Sequence, residues 1–171
     1  MRLRSVAVAA IMWMQVSAAL ALDAPEVDAK KYPQDTPRNA LGSIVKSMDA
    51  KDYAYWVTWL IVPPERDRIL QKYKNLDGLI AVNAEPKRAD AIKAQSEVMK
   101  KLLASDAMTE GEAGGVKWAR FTLAEVVLQV EKQPDGRWVM NTKIRNAKQA
   151  EAWERGELKS EPAPEPPKET K

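Results

Sequence analysis

The sequence contains no cysteine and no histidine among its 171 residues. Without cysteine there are no disulfides, no thiol nucleophile, no lipoprotein-type lipid attachment and no c-type haem linkage. Without histidine the commonest acid–base group and the usual zinc ligand are both missing. No cofactor, no metal and no catalytic residue is therefore expected. A concentrated basic excess is absent too: 27 Lys and Arg stand against 24 Asp and Glu, a net charge of +3. That near-balance argues against nucleic acid as a partner. There is no Gly-rich phosphate loop, acidic calcium loop or Gly-x-Ser-x-Gly elbow.

What is present begins with an address. Arg2 and Arg4 precede an apolar stretch from Val6 to Val16, and Ala19-Leu20-Ala21 places small residues where a signal peptidase reads them. Residues 1–21 are read as a signal peptide, so the protein is expected to be exported, periplasmic or secreted. An uncleaved anchor is the competing reading, weakened by Gln15 and Ser17 inside the run. Once the signal is removed, no integral membrane span is expected.

Residues 22–35 are polar, carry Pro25 and Pro33, and read as a leader. The domain is placed at 36–156, long enough for one hydrophobic core. Thr36-Pro37 starts a helix, and Ala40, Leu41, Ile44, Val45 and Met48 make its apolar stripe. Asp52 is positioned to cap a second helix with Tyr53, Trp56, Val57, Leu60 and Ile61 on one side. Pro64 can open a third with Ile69, Leu70 and Tyr73 inward, and its Glu65-Arg66-Asp67-Arg68 start reads as solvated. Residues 86–105 form the longest predicted helix, whereas Leu79 to Val82 is an apolar run of undecided state.

Beyond Ser105 the texture turns to strands. Glu112-Ala113-Gly114-Gly115 is a predicted turn and 116–122 a strand. Residues 123–145 read as an antiparallel hairpin around Pro134-Asp135-Gly136, where Gly accepts a positive φ. A short helix with Trp153 follows, and the Pro-, Glu- and Lys-rich residues 157–171 read as a disordered tail. Helices first and antiparallel strands last predict an α+β domain, with helices packed on one face of a curved sheet.

Three stretches carry a resemblance: Asp35-Thr36-Pro37 with Ala40-Leu41 and Ile44-Val45, the break at Asp49-Ala50-Lys51-Asp52-Tyr53, and the closing Leu128 to Trp138 segment with its Gly-Arg-Trp end. Together they resemble small exported bacterial proteins of the nuclear-transport-factor-2-like superfamily, which share a cystatin-like cone. The resemblance implies a sheet wrapped on helices with a pocket at the cone mouth. In that family an early strand lies between the helices, and only Leu79 to Val82 is placed to supply it here. Members include isomerases, dehydratases and hydrolases beside pure binders, so the fold does not give the activity.

Four residues are the binding candidates: Tyr55, Trp59, Trp118 and Glu125. Tyr55 and Trp59 fall off the apolar stripe at i, i+4, where an exposed pair would mark a contact surface. Trp118 sits on a strand, where packing is its ordinary role and Arg120 or Arg137 its ordinary stacking partner. Glu125 would need a partner if it pointed inward, but alternation turns it toward solvent. The expected function is non-enzymatic: binding a small lipophilic ligand or a protein partner, or self-association as a homodimer. The alternative is a histidine-independent isomerase or hydrolase using Asp or Glu with Tyr in the pocket. An inward Glu125 or Asp52 with a raised pKa beside a Tyr would favour it. A structural envelope component held by an uncleaved signal is the remaining reading.

Overall fold

The computed structural model describes residues 25–158. The signal read over residues 1–21 and nearly all of the tail lie outside them. Five helices precede the sheet: α1 Pro37–Asp49, α2 Tyr53–Trp59, α3 Pro63–Lys72, α4 Leu76–Ala84 and α5 Pro86–Ala104. Strands β1 Met108–Ala113, β2 Val116–Leu123, β3 Val126–Lys132 and β4 Trp138–Asn141 follow, then α6 Ala147–Glu154. The strands pair antiparallel in simple chain order, β1-β2-β3-β4, and do not close into a barrel. This is the expected α+β class. No helix among the described residues is long and apolar enough to cross a membrane.

Local chemistry explains the helix starts. Thr36 caps α1 by accepting from the Asn39 N–H, Asp52 caps α2 at Tyr55, Asn75 caps α4 at Gly78 and Asn146 caps α6 at Gln149. Prolines open α1, α3 and α5, where the missing N–H costs nothing. The Asn75 cap decides the apolar run 79–82 in favour of helix, so no early strand lies between these helices. The nearest thing to one is Ile61, which forms a single parallel bridge with Met140.

The core lies between the helices and one sheet face. Ala40, Leu41, Ile44 and Met48 of α1 pack with Ala119 and Phe121 of β2, Leu128 and Val130 of β3, and Met140 of β4. The other face is not left to solvent. Val127 packs with Ile144 and Ala150 in a second cluster, against which Trp153 and Leu158 rest. Thus α6 covers the face opposite the main helical layer, and Leu158, assigned above to the tail, belongs to the packed structure. β3 is consequently buried on both sides, and Gln129 and Glu131 are buried with it.

Three other expectations are corrected. β1 takes in Glu112 and Ala113, the first half of the expected 112–115 turn; only Gly114-Gly115 turns the chain. Pairing supplies what β-propensity lacks: the Trp118 indole lies over Gly111, where any Cβ would come within 2.4 Å of the ring. The leader is not a free linker. Tyr32 is 1% exposed, its ring 4.3 Å from that of Tyr55 and its hydroxyl donating to Asp52 at 2.9 Å. Lastly, Glu65 is buried rather than solvated. It pairs with Lys143 at 2.9 Å and Arg68 at 3.2 Å, and accepts from the Thr142 hydroxyl at 3.1 Å.

The β4 edge of the sheet is sealed by earlier segments. Trp138 N–H donates to the Gln34 carbonyl, Met140 N–H to the Leu60 carbonyl, and Val62 N–H to the Met140 carbonyl. The Pro134-Asp135-Gly136 turn is as expected, with Gly136 at φ 89.

Candidate functional site

A wide opening lies where α3, α4 and α5 meet the ends of β3 and β4. It is a cavity of about 640 Å³, within the usual size for one small-molecule ligand. Its floor is apolar: Leu79 from α4, Met99 and Leu102 from α5, Leu128 and Met140 from the sheet. Val98 and Val126, two of the few large apolar residues left exposed, also line it. Its remaining wall includes Arg68 and Lys72 of α3, Arg88 and Gln95 of α5, Asn83 of α4, and Thr142 and Arg145 after β4.

Two polar groups in this wall lack an acceptor. The Trp56 Nε1–H and the Asn83 Nδ2 amide are buried without a hydrogen-bond partner. Asn83 is 2% exposed, and its Oδ1 is approached only by Arg88 Nε at 3.5 Å, the outer limit for a hydrogen bond. Buried donors without acceptors are uncommon in native interiors and call for an explanation.

The four sequence candidates do not gather here. Tyr55 is 3% exposed and belongs to the core, while Trp56 reaches the cavity wall. The stripe expected on α2 is buried, with Tyr53, Val57, Leu60 and Ile61 in the core and Trp56 partly buried against it; Tyr55 is buried as well because residues 25–34 cover the side on which it and Trp59 lie. Tyr55 accepts at its hydroxyl from the Asp28 N–H, and burial raises its pKa. Trp59 is half-buried, donates from Nε1 to the Pro25 carbonyl, and stacks with Arg137, whose guanidinium lies 5.0 Å from its ring. No exposed aromatic pair results. Trp118 lies on the sheet face opposite the main core, with the Arg120 guanidinium 4.0 Å from its ring. Glu125 is exposed, in the two-residue turn joining β2 to β3.

Asp52 does sit beside a tyrosine, but in the wrong state for a general acid. Burial works to raise its pKa; hydrogen bonds from Lys31, Tyr32 and the Tyr55 backbone outweigh burial and hold it below the ordinary value. The carboxylate with a raised pKa is Glu131, pushed up by burial against hydrogen bonds from Asn141 at 2.6 Å and Gln129 at 2.9 Å. Gln129 in turn accepts from Arg120, which pairs with Glu154 of α6. Glu131 also borders a second, shallower hollow of about 420 Å³ beside Pro63, Pro64 and Lys132. No tyrosine lines that hollow, and sequence reasoning passed Glu131 over because a hairpin strand usually has one wet face.

A prediction arises here. A raised folded pKa means that the native protein binds the Glu131 proton more tightly than the unfolded chain. At neutral pH the ionised side chain then opposes folding, and stability is gained as pH falls through the folded pKa toward the ordinary value of 4.5. Glu131→Gln is expected to exceed the parent in urea midpoint at pH 7, with the difference shrinking as the pH approaches 4.5. An unchanged difference across that range would show that the proton is not involved.

Comparison with protein-family profiles, with curated proteins and with solved structures gives no match to this chain.

Proposed function

We propose that this chain is an exported, non-enzymatic ligand-binding module whose working part is the cavity between α3–α5 and the sheet. The observation that carries this reading is the lining itself. An apolar floor is joined by buried N–H donors that have no acceptor, and no Asp or Glu occurs among the lining residues. Acid–base chemistry needs two titratable groups of separated pKa, and Tyr73 is the single titratable acid on that wall. The helices-then-sheet order and the position of the cavity support membership of the cone-like superfamily. The missing early strand would make it a reduced member.

Ligand binding is favoured over self-association by the β1 edge of the sheet, which pairs with no further strand among the described residues. In a two-fold antiparallel pairing of β1 centred on Gly111, Glu110 of one copy would face Glu112 of the other. Like charges directly opposite are destabilising.

The experiment is a titration of protein recovered from the exported fraction with N-phenyl-1-naphthylamine, a neutral apolar fluorophore. Saturable one-to-one binding is expected, weakened at least about tenfold in Met99→Trp, which fills the floor of the cavity. Binding unaffected by that substitution would place the ligand elsewhere and overturn the reading. Mass spectrometry of the same material is expected to give a chain beginning near Leu22; a mass retaining Met1 would favour the anchored alternative.

A further inference from the structure

Which ligands the cavity prefers follows from the charges at its rim, an inference that rests on the ligand-binding reading above. Three exposed cations line the opening: Lys72 at the end of α3, Arg88 in the first turn of α5, and Arg145 after β4. Among the described residues none of the three forms an ion pair, whereas Lys143 pairs with Glu65 and Lys100 with Asp49. Arg68, further along the wall, is engaged by Glu65. Positive charge at the rim is therefore answered by no carboxylate on the wall, above an apolar floor.

The two orphaned donors add an independent constraint. Trp56 Nε1–H can only donate, and so can the Asn83 amide nitrogen. A ligand head that carries acceptor oxygens beside the cations is the kind of group that can satisfy them. We infer that the cavity takes a single-chain anionic amphiphile. Its acidic head would be held by Lys72, Arg88 and Arg145, its oxygens accept from Trp56 and Asn83, and its chain lie on the apolar floor. A cavity of about 640 Å³ suits one such chain rather than a two-chain lipid.

Isothermal titration calorimetry on the mature chain, below the micelle concentration of each probe, tests this with dodecanoate, dodecyl phosphate and dodecyl glucoside. Both anions are expected to bind one-to-one and roughly tenfold more tightly than the neutral glucoside at low salt. That margin should narrow as salt screens the exposed cations. The order of the two anions tells a carboxylate head from a phosphate head. Lys72→Gln combined with Arg88→Gln should narrow the margin to what Arg145 alone sustains. Asn83→Leu should weaken all oxygen-bearing heads yet raise the urea midpoint of the empty protein, because it deletes an unsatisfied buried donor.

Glucoside binding as tight as that of the anions, or a margin undiminished by the double substitution, would overturn the anionic preference while the cavity reading stands. Failure of all three chains together with the neutral fluorophore would overturn the cavity reading itself.

Discussion

Tyr32→Ala is expected to cost about 3–5 kcal/mol, the usual range for emptying a fully buried aromatic site. Tyr32 is among the largest fully buried side chains and lies in a segment with no secondary structure of its own. Its ring packs on Tyr55 and its hydroxyl satisfies Asp52, which simultaneously caps α2. Removing the ring empties core volume and strips one hydrogen bond from the capping carboxylate. It also frees the turn that brings Gln34 to the edge of β4. Tyr32→Phe separates the contributions, since it keeps the volume and loses only the hydroxyl; about 1 kcal/mol is expected there. Urea unfolding of both variants checks the pair. A loss below about 1 kcal/mol for the alanine variant would mean that the segment is a dispensable leader after all.

Glu65→Ala is the second large effect, about 2–3 kcal/mol. Breaking a fully buried ion pair typically costs about 3–5 kcal/mol, and the partial exposure of Lys143 and Arg68 lowers that figure. The carboxylate ties the first turn of α3 to the loop after β4 through Lys143 and the Thr142 hydroxyl. Burial raises its pKa, but the cations and the hydroxyl outweigh burial and hold it below 4.5. A depressed folded pKa gives stability that is complete above the unfolded value of 4.5 and is lost as pH falls through the folded pKa. The difference between parent and Glu65→Ala in urea midpoint should therefore be large at pH 7 and shrink in acid below 4.5. A pH-independent difference would assign the loss to packing rather than to charge.

What the sequence disclosed and what it hid divide along range of contact. The starts of α1 and α2, the stripe from Ala40 to Met48, the long helix from Pro86 and the Gly136 turn are all written in residues a few positions apart. Caps and periodicity are local signals, and there they sufficed. Tyr32 is a lone aromatic in a polar stretch, and its burial depends on Tyr55 and Asp52, some twenty residues on. Glu65 looks like any charged first-turn residue until Thr142 and Lys143 arrive from the far end of the chain. The burial of Tyr55 follows from the covering leader and not from the spacing within α2, whose stripe of Tyr53, Val57, Leu60 and Ile61 is buried as its periodicity predicts. β1, with Glu110, Gly111 and Glu112 at its centre, has little intrinsic preference for a strand and takes its form from pairing with β2. The cavity was legible only as an expectation attached to a resemblance. Its lining comes from six elements and two connecting segments, and its distinguishing features are an absence of carboxylates and two missing acceptors, neither of which leaves a motif.

The sealing of β4 by Gln34, Leu60 and Val62 has a kinetic consequence. The earliest described residues and the last strand complete each other across roughly a hundred positions, Trp138 N–H meeting the Gln34 carbonyl. Closing so long a loop is slow relative to forming local helices. A chain emerging from its N-terminus, from a ribosome or through a narrow channel, would carry α1 and α2 as unfinished pieces until residue 141 is free. Premature collapse into the final form is thereby deferred by topology, and the whole domain locks in one late event.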